Sequence, residues 1–466
     1  MKTSLPALIW TGLLVVGFAP GCSQEPAVDF DALTESGETL FNEGSYEEAA
    51  TLFIEACEGG SQAGCFNLAS LYVSGLGVAQ DYDRARRLYE ETCARGTHEA
   101  CNNLGGLYVA GTGIEQDDAR ARDYFGQACA LNDGVGCGNL AHLYSSGRGG
   151  PEDMATAVEL YQHSCDLGYP PSCTQLALIF DNGPEEFRNL ERAYALLTQA
   201  CEADDVRGCY NLAYSYQTGE GTEIDIERAI SLYERACEGG RVDGCANAGY
   251  LYYYGPEALR NVTRAIELHE LACDAGNMLG CTNLAGALID GIGIETDYER
   301  ALALGALACE AGIPQGCTSA GYVQFEGPTA LQDPVRAVAL FNRACEADHA
   351  PGCFNLASAY ERGLGVETDI ERAIALYTQA CEGGSTGSCN NAGALYEEAG
   401  ENAQAIELYE IACDGGEMLG CTNLGVAYEY GNGVALDHER AIELYTRACE
   451  GGHTEACDFA ANLENQ

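Results

Sequence analysis

Of the 25 cysteines in this 466-residue chain, 24 fall into twelve C-x7-C pairs, and successive pairs begin 36 residues apart except for one 32-residue step from Cys381 to Cys413. The pairs are Cys57 with Cys65, Cys93 with Cys101, Cys129 with Cys137, Cys165 with Cys173, Cys201 with Cys209, Cys237 with Cys245, Cys273 with Cys281, Cys309 with Cys317, Cys345 with Cys353, Cys381 with Cys389, Cys413 with Cys421 and Cys449 with Cys457. A period of this size means that one small supersecondary unit is copied and stacked. It argues against a single globular core, which a chain this long would outgrow in any case.

Aligning the copies on the first cysteine of each pair exposes the period inside the unit. Eight residues before it stands Ala in all twelve copies, from Ala49 to Ala441, and five before it stands Leu in eleven, with Tyr124 the exception. Four before it is usually aromatic, as in Phe53, Tyr89, Phe125 and Tyr445. These positions form one stripe of an amphipathic helix, called helix B here. Asp81, Asp117, Asp225, Asp297, Asp369 and Asp437 precede it as N-caps. A second stripe, Cys65, Leu68, Ala69 and Tyr72, follows the second cysteine and defines helix A. Helix A is expected to stop at glycines such as Gly75 and Gly77, or Gly363 and Gly365, which accept positive φ. The expected fold is therefore all-α: an alpha-alpha superhelix, or solenoid, of about twelve 36-residue helix-turn-helix units.

The recurring string G-C-x-N-L-A-x-L-Y-x-x-G-x-G-V-x-x-D-x-x-R-A-I-x-L-Y-x-x-A-C-E-x-G resembles Sel-1-like repeats, relatives of the tetratricopeptide helix pair. The resemblance is to the disulfide-rich bacterial branch typified by the Helicobacter cysteine-rich proteins. It assigns 61–452 to the repeats, 29–60 to a degenerate first repeat and 453–466 to a C-terminal capping helix. It implies a concave surface that binds peptides or proteins. Because cysteine-rich relatives are often labelled β-lactamases, it also implies an alternative, a β-lactamase-like hydrolase or penicillin-binding protein.

The C-x7-C spacing fits neither the C-x2-4-C of zinc sites nor the C-x2-C of thioredoxin-like redox centres. With export expected, the 24 periodic cysteines read as structural disulfides closed within each pair. The remaining cysteine, Cys22, follows Ala19-Pro20-Gly21 at the end of a stretch that is apolar from Leu5 and carries one cation, Lys2. Residues 1–21 read as a secretory signal, too short to span a bilayer. The junction resembles a bacterial lipobox, with Ala19 where Leu is usual, so Cys22 is the expected lipidation site and 22–28 a lipid-anchored linker. An ordinary signal peptide cut nearby is the other reading. The expected location is the periplasm, as an outer-membrane lipoprotein. The formal charge of −48, from 71 acidic and 23 basic residues, argues against nucleic acid and anionic membrane surfaces and favours basic partners. The membrane is expected to be met only through the N-terminal lipid, and the protein is expected to be monomeric.

The candidate ligand-binding row stands two residues after the second cysteine: Asn67, Asn103, Asn139, Asn211, Asn247, Asn283, Asn355, Asn391 and Asn423. A helix interior gains nothing from Asn, so the carboxamide is in use. It either clamps a peptide backbone on the concave face or bonds to the neighbouring helix. Arginines nine before the first cysteine, such as Arg84, Arg120 and Arg336, read as helix-start ion pairs. Tyr250, Tyr252, Tyr253 and Tyr254 exceed what one helix face can bury and could join a binding surface. The copies around 265–325 depart from the pattern, with His269 and Gly305 in the helix B ring position and Leu288 and Gln324 in that of helix A. They suggest a hinge or shallow pocket.

Catalysis is the weaker expectation. With Lys2 the sole lysine, no S-x-x-K can form, and the seven histidines lack metal-ligand spacing, so neither cofactor nor metal is expected. Gly383-Gly384-Ser385-Thr386-Gly387 matches G-x-S-x-G, but in the C-x7-C turn of an all-α repeat. The leading reading is an adaptor for peptide or protein segments.

Overall fold

The computed structural model describes residues 29–464, so the signal segment, Cys22 and the linker lie outside the described residues. Among the described residues are twenty-five α-helices, from Phe30–Asn42 to Thr454–Glu464, two short 3-10 turns and no strand. The described residues form an all-α array of tandem helix pairs and divide into two compact units, the first ending at Ser172 and the second beginning at Cys173.

Helix B forms where the sequence places it. In Tyr82–Ala94 the Asp81 carboxylate accepts from the Arg84 amide at 2.9 Å, and Ala85, Tyr89, Thr92 and Cys93 are buried on one stripe. Asp117, Asp225, Asp297, Asp369 and Asp437 cap their helices in the same way. Helix A, as in Gln62–Ser74, stops at Gly75 in the left-handed conformation, φ 72°. Two residues on, Gly77 has φ 69°, and a Cβ there would lie 2.0 Å from the Tyr46 carbonyl oxygen. That loop therefore needs glycine for conformation and for space. At the 32-residue step the connection shrinks: residues 399–401 join Thr386–Glu398 to Asn402–Asp414, and residues 43–45 do the same between Phe30–Asn42 and Tyr46–Glu58. The four residues lost come from the A-to-B loop, so both helices keep their length.

The disulfides close within their own C-x7-C segments, as the spacing and the exported context led us to expect. In the first unit Cys57 is bonded to Cys65, Cys93 to Cys101 and Cys129 to Cys137. In the second unit Cys201 is bonded to Cys209, Cys237 to Cys245, Cys273 to Cys281 and Cys309 to Cys317. The same unit joins Cys345 to Cys353, Cys381 to Cys389, Cys413 to Cys421 and Cys449 to Cys457. All eleven have sequence separation 8 and Cα–Cα distances from 4.5 to 4.9 Å. Cys165 and Cys173 are disulfide-bonded as well. Each bond fastens the end of helix B to the start of the next helix A, where a thin layer has least core of its own.

The ring position of helix B faces a small residue of the preceding helix A. A Cβ on Gly105 would come within 2.7 Å of the Phe125 ring, and Gly321 stands in the same relation to Phe341. The two departures from this arrangement are met differently. At Gly305 the helices close up: a Cβ there would lie 2.9 Å from the Ala320 nitrogen and 3.0 Å from the Gly316 oxygen, so backbone fills the place of the ring. At His269, 1% exposed, the imidazole is buried with neither nitrogen hydrogen-bonded, and Gln324 buries an unpartnered Oε1. The expected weak region thus contains one tight contact and two buried polar groups that lack partners.

Candidate functional site

All nine asparagines of the predicted row are half-buried on helix A, but their amides have different partners. In the first unit Asn67 Nδ2 donates to Glu38 Oε1 at 2.9 Å, Asn139 Nδ2 to Asn102 Oδ1 at 2.8 Å and Asn103 Nδ2 to the Tyr89 hydroxyl at 3.5 Å. In the second unit Asn247 Nδ2 donates to the Tyr210 hydroxyl at 3.1 Å and Asn423 Nδ2 to Asn390 Oδ1 at 2.9 Å, while Asn391 lies beside the Tyr377 hydroxyl. Asn67, Asn139, Asn247 and Asn423 bind the preceding helix A, so the carboxamide pins one repeat to the last. Among the described residues, the side chains of Asn211, Asn283 and Asn355 make no hydrogen bond within the protein. The row is therefore both a structural ladder and, at these three positions, a set of unused donors and acceptors.

Residues three and seven beyond the asparagine share its face. There the copies differ most. In the second unit this face carries Tyr214, Tyr250, Tyr254 and Tyr322, between 40% and 52% exposed. The Tyr250 and Tyr254 rings lie 5.0 Å apart, and the Tyr253 hydroxyl donates to Asp290 Oδ2 at 3.4 Å. Burial, first, and the Asp290 carboxylate push the Tyr253 phenol up to about 12 and that of Tyr254 upward, so both remain neutral donors. Of the four tyrosines flagged in the sequence, Tyr253 is buried and Tyr252 half-buried, leaving Tyr250 and Tyr254 outward. Tyr214 and Tyr322 were missed; their spacing from Asn211 and Ser319 was the available signal.

In the first unit the same positions hold Ser70 and Ser74, Gly106 and Ala110, and His142 and Ser146. Asn67, Ser70 and Ser74 rim a cavity of about 480 Å³ floored by Phe53 and Leu71 and closed by Glu38 and Phe41. At the far end of the second unit, buried ring-position tyrosines reach the face by their hydroxyls. Tyr377 donates to Glu361 at 2.8 Å, Tyr409 to Glu397 at 2.8 Å and Tyr445 to Glu429 at 2.7 Å. Burial and the carboxylate both raise these phenols, which keeps them protonated and donating.

The arginine row does more than pair with caps. Arg84, Arg120 and Arg228 contact Asp81, Asp117 and Asp225 at 3.2 to 3.3 Å. Each also lies over the ring that ends the preceding helix A, Tyr72, Tyr108 and Tyr216, at 5.5 Å. Arg192 and Arg372 cover Phe180 and Tyr360. Arg336 has Gln324 in place of a ring, and the two line a cavity of about 210 Å³.

One grouping among the described residues has metal-ligand proximity, Cys129, Cys137 and His163, but both sulfurs are joined in a disulfide and offer no thiolate. Ser385 lies in the turn before Thr386–Glu398, where its Oγ accepts from the Ser388 hydroxyl at 2.7 Å. No helix of the described residues is long and apolar enough to cross a membrane.

A model of the Sel1 repeat matches the chain eleven times, over residues 62–97, 98–133, 135–169, 170–205, 206–240, 242–277, 279–313, 314–349, 350–385, 389–417 and 419–453. Among solved structures the chain is similar to c5321, a protective antigen present in uropathogenic Escherichia coli strains and displaying an SLR fold. Identity is 23% and the TM-score 0.70, over 94% of this chain and 88% of that one. It is also similar to a Sel1 repeat protein from Oxalobacter formigenes, at 26% identity and TM-score 0.48, over 52% of this chain and 99% of the other. No curated protein matches the chain.

Proposed function

The chain belongs to the Sel1 repeat family, and from that premise we propose that it is an exported, lipid-anchored adaptor holding peptide or protein segments against the outward face of its A helices. That face is the concave side of the stack in this reading. The fold is that of a protein-interaction scaffold, and its disulfides belong to an oxidising, exported compartment. Export by a signal at residues 1–21, acylation of Cys22 and a tether of 22–28 complete the proposal. Residues 29–60 would open the array and residues 453–466 close it, giving terminal units that cover the apolar ends.

The observation that carries the reading is the division within one row. Positions that build the repeat are nearly invariant along the chain, while Asn211, Asn283 and Asn355 present amides that the fold does not use: Asn211 three residues before the exposed Tyr214, and Asn283 and Asn355 in repeats that follow those bearing the exposed Tyr250, Tyr254 and Tyr322. An amide that both donates and accepts can hold an extended backbone irrespective of its side chains. The acidic chain selects basic segments among these.

The test compares two double variants on an array of synthetic peptides that includes cationic sequences. Asn283→Ala with Asn355→Ala should weaken capture and leave the thermal midpoint unchanged. Asn139→Ala with Asn423→Ala should lower the midpoint, because each amide bonds to the preceding repeat. Capture unaffected by the first pair would refute the row as a ligand ladder. A serine in place of Cys22 should abolish metabolic labelling with palmitate.

A further inference from the structure

We propose that helix Met278–Asp290 carries a subsite for an arginine side chain of the bound segment, a slot over Gly286 between aromatic residues of the adjoining repeats. The inference rests on the adaptor reading and names the partner chemistry of that face. In the repeat before, the corresponding position is Tyr250, and in the repeat after it is Tyr322. Both are exposed, at 46% and 40%. At Gly286 the side chain is absent, and a Cβ placed there would meet nothing nearer than the Tyr254 hydroxyl at 3.8 Å. Glycine is not required by the backbone at this mid-helix position, since a Cβ finds open space there. It costs helix stability relative to alanine and leaves a gap in a line of rings.

The ends of that gap carry acceptors. Three residues before Gly286 stands Asn283, whose side chain makes no internal hydrogen bond among the described residues. Four residues after it stands Asp290, exposed, with Oδ2 held by the Tyr253 hydroxyl at 3.4 Å and, among the described residues, no arginine paired to it. A flat cation with several donors suits such a place: it stacks against tyrosine and bonds a carboxylate with two parallel N–H groups. Guanidinium meets that description, whereas an ammonium offers a point charge and no plane. The wider charge agrees, because 71 acids against 23 bases draw cationic segments toward the face.

The experiment is calorimetric titration of the oxidised protein with the peptide (Gly-Arg-Gly)3-amide. Counterparts in which each arginine is replaced by citrulline, an uncharged isostere, or by lysine are titrated alongside. Citrulline should bind at least about tenfold more weakly, the scale of a charge-assisted hydrogen bond, and lysine several-fold more weakly. Gly286→Leu, which fills the slot with a better helix former, should lower arginine-peptide affinity at least about tenfold with no loss of thermal stability. Asp290→Asn should lower it about fivefold and flatten its salt dependence. Undiminished binding to Gly286→Leu, equal binding of arginine and citrulline peptides, or no binding of the arginine peptide at all overturns the subsite. The adaptor reading fails separately: if Gly286→Leu has no effect while the paired change at Asn283 and Asn355 still weakens array capture, the face stands and the slot falls.

Discussion

Replacing His269 by phenylalanine should stabilise the protein at neutral pH and remove a specific acid sensitivity. His269 occupies the helix B ring position, opposite Gly249, as Phe125 lies opposite Gly105 and Phe341 opposite Gly321. A six-membered ring therefore has an established fit in this frame. The imidazole is 1% exposed with both nitrogens unpartnered, and leaving buried polar groups unsatisfied costs about 1–3 kcal/mol. Burial lowers its pKa from 6.5 to about 4. The unfolded chain titrates near the ordinary value, so between those two pH values it binds more protons than the folded protein. The neutral imidazole's contribution is fully present above about pH 6.5 and is lost as pH falls toward 4. At pH 4.5 the loss comes to about 2–3 kcal/mol by the linkage relation. Guanidinium unfolding with disulfides intact, at pH 7.5, 5.5 and 4.5, measures it. Many carboxylates also titrate in this range, so the informative quantity is the difference between wild type and His269→Phe. That difference should begin near 1–3 kcal/mol and widen by about 2–3 kcal/mol on acidification. A difference that stays constant across the three pH values would refute the account of a buried neutral imidazole.

Gly305→Ala should destabilise by about 1–3 kcal/mol in the same unfolding assay, because its Cβ would press on backbone atoms of the next helix that cannot step aside. Gly286→Ala, in open space, should not destabilise. Arg372→Ala should lower the thermal midpoint by uncovering Tyr360, whereas Arg336→Ala should leave it unchanged, because Arg336 covers no ring among the described residues. Non-reducing peptide mapping should return links of sequence separation 8 and no cross-pairing between repeats.

The repeat, its helix stripes, caps and cysteine pairing were legible because they depend on residues within one helix or one turn. Asp81 caps its own helix and Gly75 ends its own, so spacing alone carries the information. The arginine stacks were not legible in that way: Arg84 and Tyr72 lie on opposite sides of a loop, and only the loop's course brings them together. The asparagine row was legible as a row. Its division was not, because Asn139 bonds to Asn102 one repeat back, and a strict period gives every copy the same neighbours on paper. Gly305 shows the same limit from the packing side. The lost ring suggested a shallow pocket; at Gly305 itself the backbones close up, and the cavities of this region lie beside Leu288 and Gln324 instead.

Each described disulfide joins cysteines eight positions apart, while the next cysteine along, as from Cys65 to Cys93, is 28 positions away. Loop-closure entropy favours the nearer partner by about 1 kcal/mol, roughly sixfold in population. A chain threaded outward from its N-terminus also presents the near partner first. Oxidation can then be completed hairpin by hairpin, each one sealed before the following pair emerges. The same locality shapes how the array can change its length. Adding or deleting a whole repeat adds or deletes a complete pair, so no thiol is stranded and no existing bond has to find a new partner.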